Sequence, residues 1–493
     1  MTSAKEPTPE LLADHMARTR TCRRWLVGLG CVVVMFIALR IAWGVVASSR
    51  WQAEIDCIHA EGVPIFAHDF PATKGLPPER NAANYYHRAF AAIDWRDRDE
   101  LSFDDAISYF RAAEEYPNEF DAIVLANQDV VDLIRQARGA PDTDWEIHVA
   151  SRLMDTTLDY LGEIRRIARV LFLTVLSRHR HHDDAEALRI VEDILLLAER
   201  TPQVDSYCPF ISLLVAITLQ QRCTFVLERM IPTMSIGDHA EEDGTVPRGK
   251  IIEMIKRLLD EENLWGAYSA AMNVERAICI DTIEFLLASA NRRGLTHLDS
   301  SGVLVFVKPA WRLDTIRVCR HLEGARKAGM SRNWSKVADH GTFCGPDTQE
   351  NSIQTMAFYP SYMFGTSMRR PTMLLYRNIA HRRMTAIALA IRLFEIDHGH
   401  RPTALAELAP EYLDTLPIDP FAKESEPIRY LPDAEPPLLY SVNQNQIDEQ
   451  GKFMTPGDQL VNNEDFDFVF FLNGDRPTPD LSEDQRLPRY RKL

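Results

Sequence analysis

The apolar positions of this chain follow three patterns. From Trp25 to Ala47 they form one run interrupted only by Arg40, from about residue 81 to 290 they recur at helical spacing, and near the C-terminus they alternate in short stretches. The first run is about 23 residues long, enough to cross a hydrocarbon core of roughly 30 Å at 1.5 Å per residue. Arg40 lies near one end, where a long side chain can snorkel to the headgroups. Lys5, Arg18, Arg20, Arg23 and Arg24 precede the run. The positive-inside rule therefore predicts a cytoplasmic tail over 1–24, a transmembrane helix over 25–47 in the cytoplasmic (inner) membrane, and an extracytoplasmic remainder. The alternative is a cleaved secretory signal, with Val45 and Ala47 as the small residues before Ser48. Against it stand an apolar segment longer than the usual ~7–15 residues and the long charged leader.

Residues 48–80 carry Pro64, Pro71, Pro77 and Pro78 with Gly62 and Gly75, and predict an extended spacer. Helices are then expected over 81–92, 104–116, 119–138 and 145–178, which are rich in Ala, Leu, Arg and Glu. In 185–200, Leu188, Val191, Ile194, Leu195 and Ala198 recur at helical spacing and form one buried stripe. Residues 209–219 are apolar almost throughout, but about 11 residues are too few to cross a bilayer, so a core helix is expected. A polar loop over 235–250 precedes helices at 251–259 and 273–290. With no strict repeat period, residues 81–290 predict an irregular antiparallel helical array. In the connecting region 291–370, Val303 to Lys308 predicts a strand and Asp314 to Lys327 a helix. Residues 341–365 predict a long irregular segment bearing Tyr359, Pro360, Tyr362 and Phe364.

Thr372 to Asp397 predicts a long helix ending at Gly399, whose missing Cβ suits a left-handed cap. Short strands are expected at 428–431, 438–442 and 466–471. Ile387, Ile391 and Phe394 of the helix should then cover the strand face of Phe466, Phe468 and Phe470. The predicted fold is thus mainly α: a transmembrane helix, the helical array, and a C-terminal α+β unit of one helix and a three-stranded antiparallel sheet over 371–475, with a tail at 476–493.

In that last unit, Leu393-Phe394-Glu395-Ile396-Asp397-His398-Gly399-His400-Arg401-Pro402-Thr403, Tyr412-Leu413, Leu416-Pro417-Ile418-Asp419-Pro420-Phe421 and Tyr440-Ser441-Val442 follow one another in order. This order resembles the globular end of the major pseudopilin of type II secretion. Uncharacterised bacterial membrane-anchored proteins carry similar tails, and Asn81-Ala82-Ala83 followed by Tyr85 resembles their helical body. The resemblance implies a helix covering a small sheet, a role connected with secretion, and calcium held in the loop before the last strand. On the residues present, Asn445, Asp448 and Asp467 would be the calcium ligands, and hard calcium takes six to eight oxygens. Two departures are plain. A pseudopilin joins its apolar N-terminus directly to this helix, whereas here the span lies hundreds of residues upstream, and glycines usual in the calcium loop are Asn443, Gln446 and Gln450.

Composition narrows the partners. The whole chain carries −16 and residues 1–50 carry +4, so the remainder carries −20. That acidity disfavours nucleic acid, whose binding needs clustered Lys and Arg, and suits a protein partner or cations. Cys57, Cys208, Cys223, Cys279, Cys319 and Cys344 follow the span. Without CxxC or zinc spacing they predict buried free thiols, with a Cys319–Cys344 bridge as the alternative. His179, His181, His182, Asp183 and Asp184 are the densest group of metal-ligand types, but consecutive residues diverge around a turn, so a solvated turn is expected. His398, His400, His340 and Cys344 are expected to hold no metal either. The adjacent acids Glu261-Glu262 and Glu241-Glu242-Asp243 are expected to be solvated.

No GxSxG elbow, HExxH, P-loop or dinucleotide-binding turn occurs. Two functions remain open. One is a membrane-anchored extracytoplasmic binding or assembly (scaffold) protein. The other is an extracytoplasmic hydrolase with its site between the helical array and residues 341–365.

Overall fold

The computed structural model describes residues 9–94, 117–238, 244–293, 300–340, 358–364, 368–453 and 466–476, with the backbone alone for 9–22 and for the helix ends at 289–293 and 300–306. The protein is mainly helical with a small antiparallel sheet near its C-terminus. Two compact units result: Met1–Val63, Ile283–Val318 and Cys344–Gly365 form the first, and Pro64–Thr282, Cys319–Phe343 and Thr366–Leu493 the second.

In the first unit, helix α1 (Pro9–Ala60) is long and apolar enough to cross a membrane, and its most apolar window is entirely unburied. The helix continues past residue 47 where an extended spacer was expected. Ala47, Trp51, Ile55 and Ile58 recur at helical spacing and are buried, so this second half is an amphipathic core helix, with the prolines beginning only at Pro64. The rest of this unit uses the ends of two long helices, introduced below in chain order.

The second unit begins with an irregular stretch at Pro64–Arg80 and then α2 (Ala82–Ala91), α3 (Pro117–Ala126) and α4 (Gln128–Arg138). The helix expected over 104–116 lies outside the described residues. The single helix expected over 119–138 divides at Asn127, whose amide donates to the carbonyls of Ile123 and Asp94 and accepts from the Asp94 amide. A side chain that satisfies backbone groups so fully competes with helix continuation.

The helix expected from Trp145 starts instead at α5 (Tyr160–Arg180). Residues 142–146 are drawn onto the start of α2: Asn81 caps α2 through the Ala83 amide and bonds both the amide and the carbonyl of Asp144. Trp145 lies between Tyr86 and Tyr160, with ring centroids 5.5 and 4.7 Å away, and donates its indole N–H to the Arg200 carbonyl. These long-range bonds outweigh helix propensity, a weak preference per residue.

Helices α6 (Asp184–Arg200) and α7 (Phe210–Met230) follow, then a two-stranded parallel pairing of β1 (Ile236–Gly237) with β2 (Val246–Pro247), and α8 (Arg248–Leu259). The long helices α9 (Glu262–Arg293) and α10 (Ser300–Met330) each contribute to both units. The strand expected at Val303–Lys308 is helical, part of α10, which carries Pro309 inside it. Within the first unit Val307 and Trp311, one turn apart, pack on Ile283 and Leu287 of α9, a spacing that only a helix supplies. Tyr359 of α12 (Tyr359–Phe364), which follows α11 (Trp334–His340), stacks on Trp311 at 5.1 Å. Asp314 closes this cluster by accepting the Ser361 amide at 2.7 Å.

The last helix, α13 (Arg369–His398), packs against α7, α8 and the sheet. It ends at Gly399 with φ +75°, the left-handed cap read from the sequence. Strands β3 (Arg429–Leu431), β4 (Leu438–Ser441) and β5 (Phe468–Phe471) pair antiparallel in that order, with Tyr430 opposite Leu439 and Leu439 opposite Phe470. The α13 residue on Phe468 and Phe470 is His381, at 5.5 and 5.7 Å. Phe394, expected there, lies about 20 Å farther along the helix at 1.5 Å per residue. It packs on His398, His400 and Tyr412 instead. Residues 371–475 therefore share α13 with the helical array, in one compact unit.

Candidate functional site

The densest polar chemistry in the second unit surrounds its sheet. Asp419 is buried at the Pro417–Phe421 turn, where one carboxylate oxygen accepts the Phe421 amide and the Ser441 hydroxyl, at 3.0 and 2.6 Å. The other accepts the Val442 amide at 2.9 Å and faces Arg429 at 3.3 Å. One side chain thus joins the turn to β3 and β4, which is why an aspartate stands at a turn position read only as a chain reversal.

The loop after β4 keeps the backbone of a glycine-rich loop without most of the glycines. Asn443, Gln446 and Gln450 adopt φ of +55°, +58° and +60°, conformations that cost an L residue roughly 1 kcal/mol each. Gly451 also has positive φ, and a Cβ there would come within 2.9 Å of Leu431, so this glycine answers to space as well as to backbone.

Each of the three expected calcium ligands has partners within the fold. Asp448 pairs with Arg429 Nε at 3.0 Å, a guanidinium it shares with Asp419 and Glu426, and accepts the Tyr440 hydroxyl at 3.1 Å. Asn445 accepts the Ile447 amide and donates to Glu449 at 2.7 Å. Asp467 accepts the Gly451 amide at 2.8 Å and lies beside Glu449, and burial followed by that neighbouring carboxyl pushes its pKa up to about 7. Asp467 Oδ1 and Glu449 Oε2 are buried without a hydrogen-bond partner. Among the described residues no group of three metal-ligand side chains assembles. The unpartnered oxygens of the loop thus belong to the Asp467–Glu449 pair, and Asn445 holds Glu449 in place.

Deeper in the unit lie buried charges that no sequence pattern isolated. Glu228 of α7 accepts the Phe471 amide of β5 at 2.8 Å and pairs with Arg476 at 2.9 Å. Burial pushes the Glu228 carboxyl up, but Arg476, His381 and the Phe471 amide outweigh it, leaving its pKa below the ordinary value. His381 meets the Thr224 hydroxyl at 2.9 Å, and burial holds its pKa down despite Glu228 at 3.7 Å. Arg382, also buried, donates to the carbonyls of Leu258, Arg257 and Asp260 at the end of α8 and to Gln220 of α7. Those carbonyls lack intrahelical donors, so Arg382 caps α8 from outside. The signal available was the run His381-Arg382-Arg383 directly before the largely apolar stretch Met384 to Ile391.

The remaining candidates are structural. His181 and His182 are exposed, as a solvated turn requires, while His179 pairs with Asp184 at 2.5 Å, His181 meets Asp121 at 3.0 Å and Asp183 caps α6. Asp184 is buried and also accepts the Ser235 amide. His340 stacks on His321 at 4.5 Å, and His398 on Phe394. Glu261, expected to be solvated, is buried in a two-point pair with Arg383 at 2.8 Å. That pair lines an open groove of about 460 Å³ with Arg332, Pro417 and Ile418. Cys208, Cys223, Cys279 and Cys319 are buried free thiols, whereas Cys57 is exposed because it faces away from the Trp51–Ile58 stripe. Glu241, Glu242, Asp243, Cys344 and residues 341–357 lie outside the described residues, and with them the segment expected to border a hydrolase site.

Comparison of the chain with protein-family models, curated proteins and solved structures finds no match.

Proposed function

We propose that this is a bitopic protein of the cytoplasmic (inner) membrane, anchored by residues 25–47 with its N-terminus in the cytoplasm, whose folded units serve binding or assembly outside. The observation that carries this reading is α1: one continuous helix that exposes Leu26, Val33, Phe36 and Ile37 and, farther along, buries one stripe of Ala47, Trp51, Ile55 and Ile58. A helix apolar on all sides has its stable place in lipid. Support for binding rather than catalysis comes from the polar groups, since Glu228, Asp419, Arg382 and Glu261 each hold one structural element to another. The exported charge of −20 favours a basic protein surface as partner. Retention of calcium at Asp467 and Glu449 belongs to the same proposal and follows the resemblance to pseudopilin tails.

A reporter enzyme fused after Leu493 tests the orientation. It should be active only on the extracytoplasmic side, and activity in the cytoplasm would reverse the topology. Recovery of a soluble form starting near Ser48 would replace the anchor with a cleaved signal and leave the exported location standing.

A further inference from the structure

The first unit contains a cavity of about 380 Å³ bounded by Arg40, Ile41, Gly44, Val45 and Ser48 of α1 and by Lys308, Pro309 and Arg312 of α10. Its volume falls within the roughly 300–1,000 Å³ of small-molecule sites. Among the described residues, three basic side chains and no carboxylate line it. Arg312 is the anchored member: it donates to the Ser48 hydroxyl at 2.7 Å and pairs with Glu284 at 3.3 Å outside the lining. Its Nε is buried with no hydrogen-bond partner. Partial burial and the nearby Arg312 lower the pKa of Lys308, and Glu284 acts in the opposite direction. Three cationic side chains from two helices thus converge on one cavity.

Its depth along α1 indicates which anion could reach those cations. Arg40 is about 22 Å from Trp25 along the helix, short of the roughly 30 Å apolar thickness. Its guanidinium turns towards the end of the span: it lies 5.6 Å from the Trp43 ring, and a Cβ on Gly44 would come within 3.2 Å of its Nη1. Gly44 leaves room for that side chain to reach one turn farther, to the level where Trp43 marks the interface. A phosphate at that depth comes with two acyl chains, and the exposed apolar face of α1 gives those chains a surface to lie along.

We propose that this cavity binds the phosphate headgroup of an anionic membrane phospholipid, with Arg40, Lys308 and Arg312 as its cationic lining and the Ser48 hydroxyl beside them. The inference rests on α1 lying in a bilayer, but binding can be measured in detergent, so an error in the proposed orientation would leave it standing.

Full-length protein, purified in mild detergent, is mixed with phosphatidylglycerol or phosphatidylcholine, and retained lipid is counted by native mass spectrometry. The expected result is phosphatidylglycerol held about tenfold over phosphatidylcholine, and reduced about fivefold by Lys308→Gln or Arg40→Gln at unchanged helicity. Lys308→Arg keeps the charge and should bind as the unaltered protein does. Equal retention of the two lipids, unchanged retention in both glutamine variants, or equal loss in Lys308→Arg and Lys308→Gln would overturn the proposal. Inorganic phosphate at millimolar concentration is the second arm. If it displaces the lipid completely, the cavity is a free-phosphate site and the lipid assignment is wrong.

Discussion

Among the described residues, two helices are long and apolar enough to cross a membrane, and they have opposite surroundings. The apolar window of α1 is 0% buried, whereas that of α7 is 67% buried. Hydropathy separates them only in degree. The polar residues separate them well. Along α7, Ser212, Gln220, Thr224 and Glu228 are buried, and each meets a partner in the fold: the Pro209 carbonyl, Arg382, His381 and Arg476 respectively. The apolar stretch of α1 carries a single charged side chain, Arg40, near its end. Buried polar side chains tied to partners are what a core helix requires, whereas a long basic side chain near the end of an apolar helix is compatible with snorkelling.

The strongest way to break this comparison is to remove a polar partner from α7. Glu228→Ala would leave Arg476 and the Phe471 amide without their carboxylate, and losing one member of a buried pair costs about 3–5 kcal/mol. Chemical denaturation should register that loss with an unchanged denaturant slope, since the surface exposed on unfolding stays the same. A change below about 0.5 kcal/mol, the range of ordinary surface substitutions, would mean that α7 is not held by its polar contacts.

Calcium gives a second comparison, between the Asp467–Glu449 pair and Asp448. An ion bound only by the folded protein at 100 times its dissociation constant stabilises it by about 2.7 kcal/mol. Calcium should therefore raise the melting temperature of the full chain. Glu449→Gln or Asp467→Asn should abolish the rise, while Asp448→Asn should leave most of it. An unchanged melting curve in millimolar calcium would show that the loop holds no ion.

A smaller effect is expected from pH. Burial and the nearby His340 lower the pKa of His321 to about 4, from an ordinary value near 6.5. Between those values the unfolded chain binds the proton more readily, so stability falls as pH drops from about 6.5 to 4. Replacing His321 with Gln should flatten that part of the stability profile, and a profile equally steep in the variant would assign it to other groups.

The smallest effect is local. Gln450 is exposed with φ +60°, and Gln450→Gly should stabilise the protein by about 1 kcal/mol by relieving the left-handed backbone. Destabilisation would mean that its side chain contributes more than the backbone costs.

Legibility in the sequence followed the range of the forces involved. The α13 helix, its Gly399 cap and the three short strands were readable because period and capping are local. The boundaries of α3, α4 and α5 were not, because Asn127, Asn81 and Trp145 form bonds to residues tens of positions away. Val303–Lys308 looked like a strand because three valines alternate there, while the neighbouring Trp311 supplied the helical spacing that decided it. Of the expected ligands, Asp467 was placed beside another carboxyl, but the partner was Glu449, and Arg429 had taken Asp448. Such choices depend on which side chains the sheet register brings together, and no spacing along the chain encodes them.

The contrast between α1 and α7 is tested most directly by labelling membranes that contain the full-length protein with a lipid-soluble photoreactive probe after an alkaline wash. The account predicts that the chain stays with the membrane and that label falls on the fragment containing Trp25–Ala47 alone. Release of the protein by the wash, or label on the fragment containing Phe210–Met230, would contradict it.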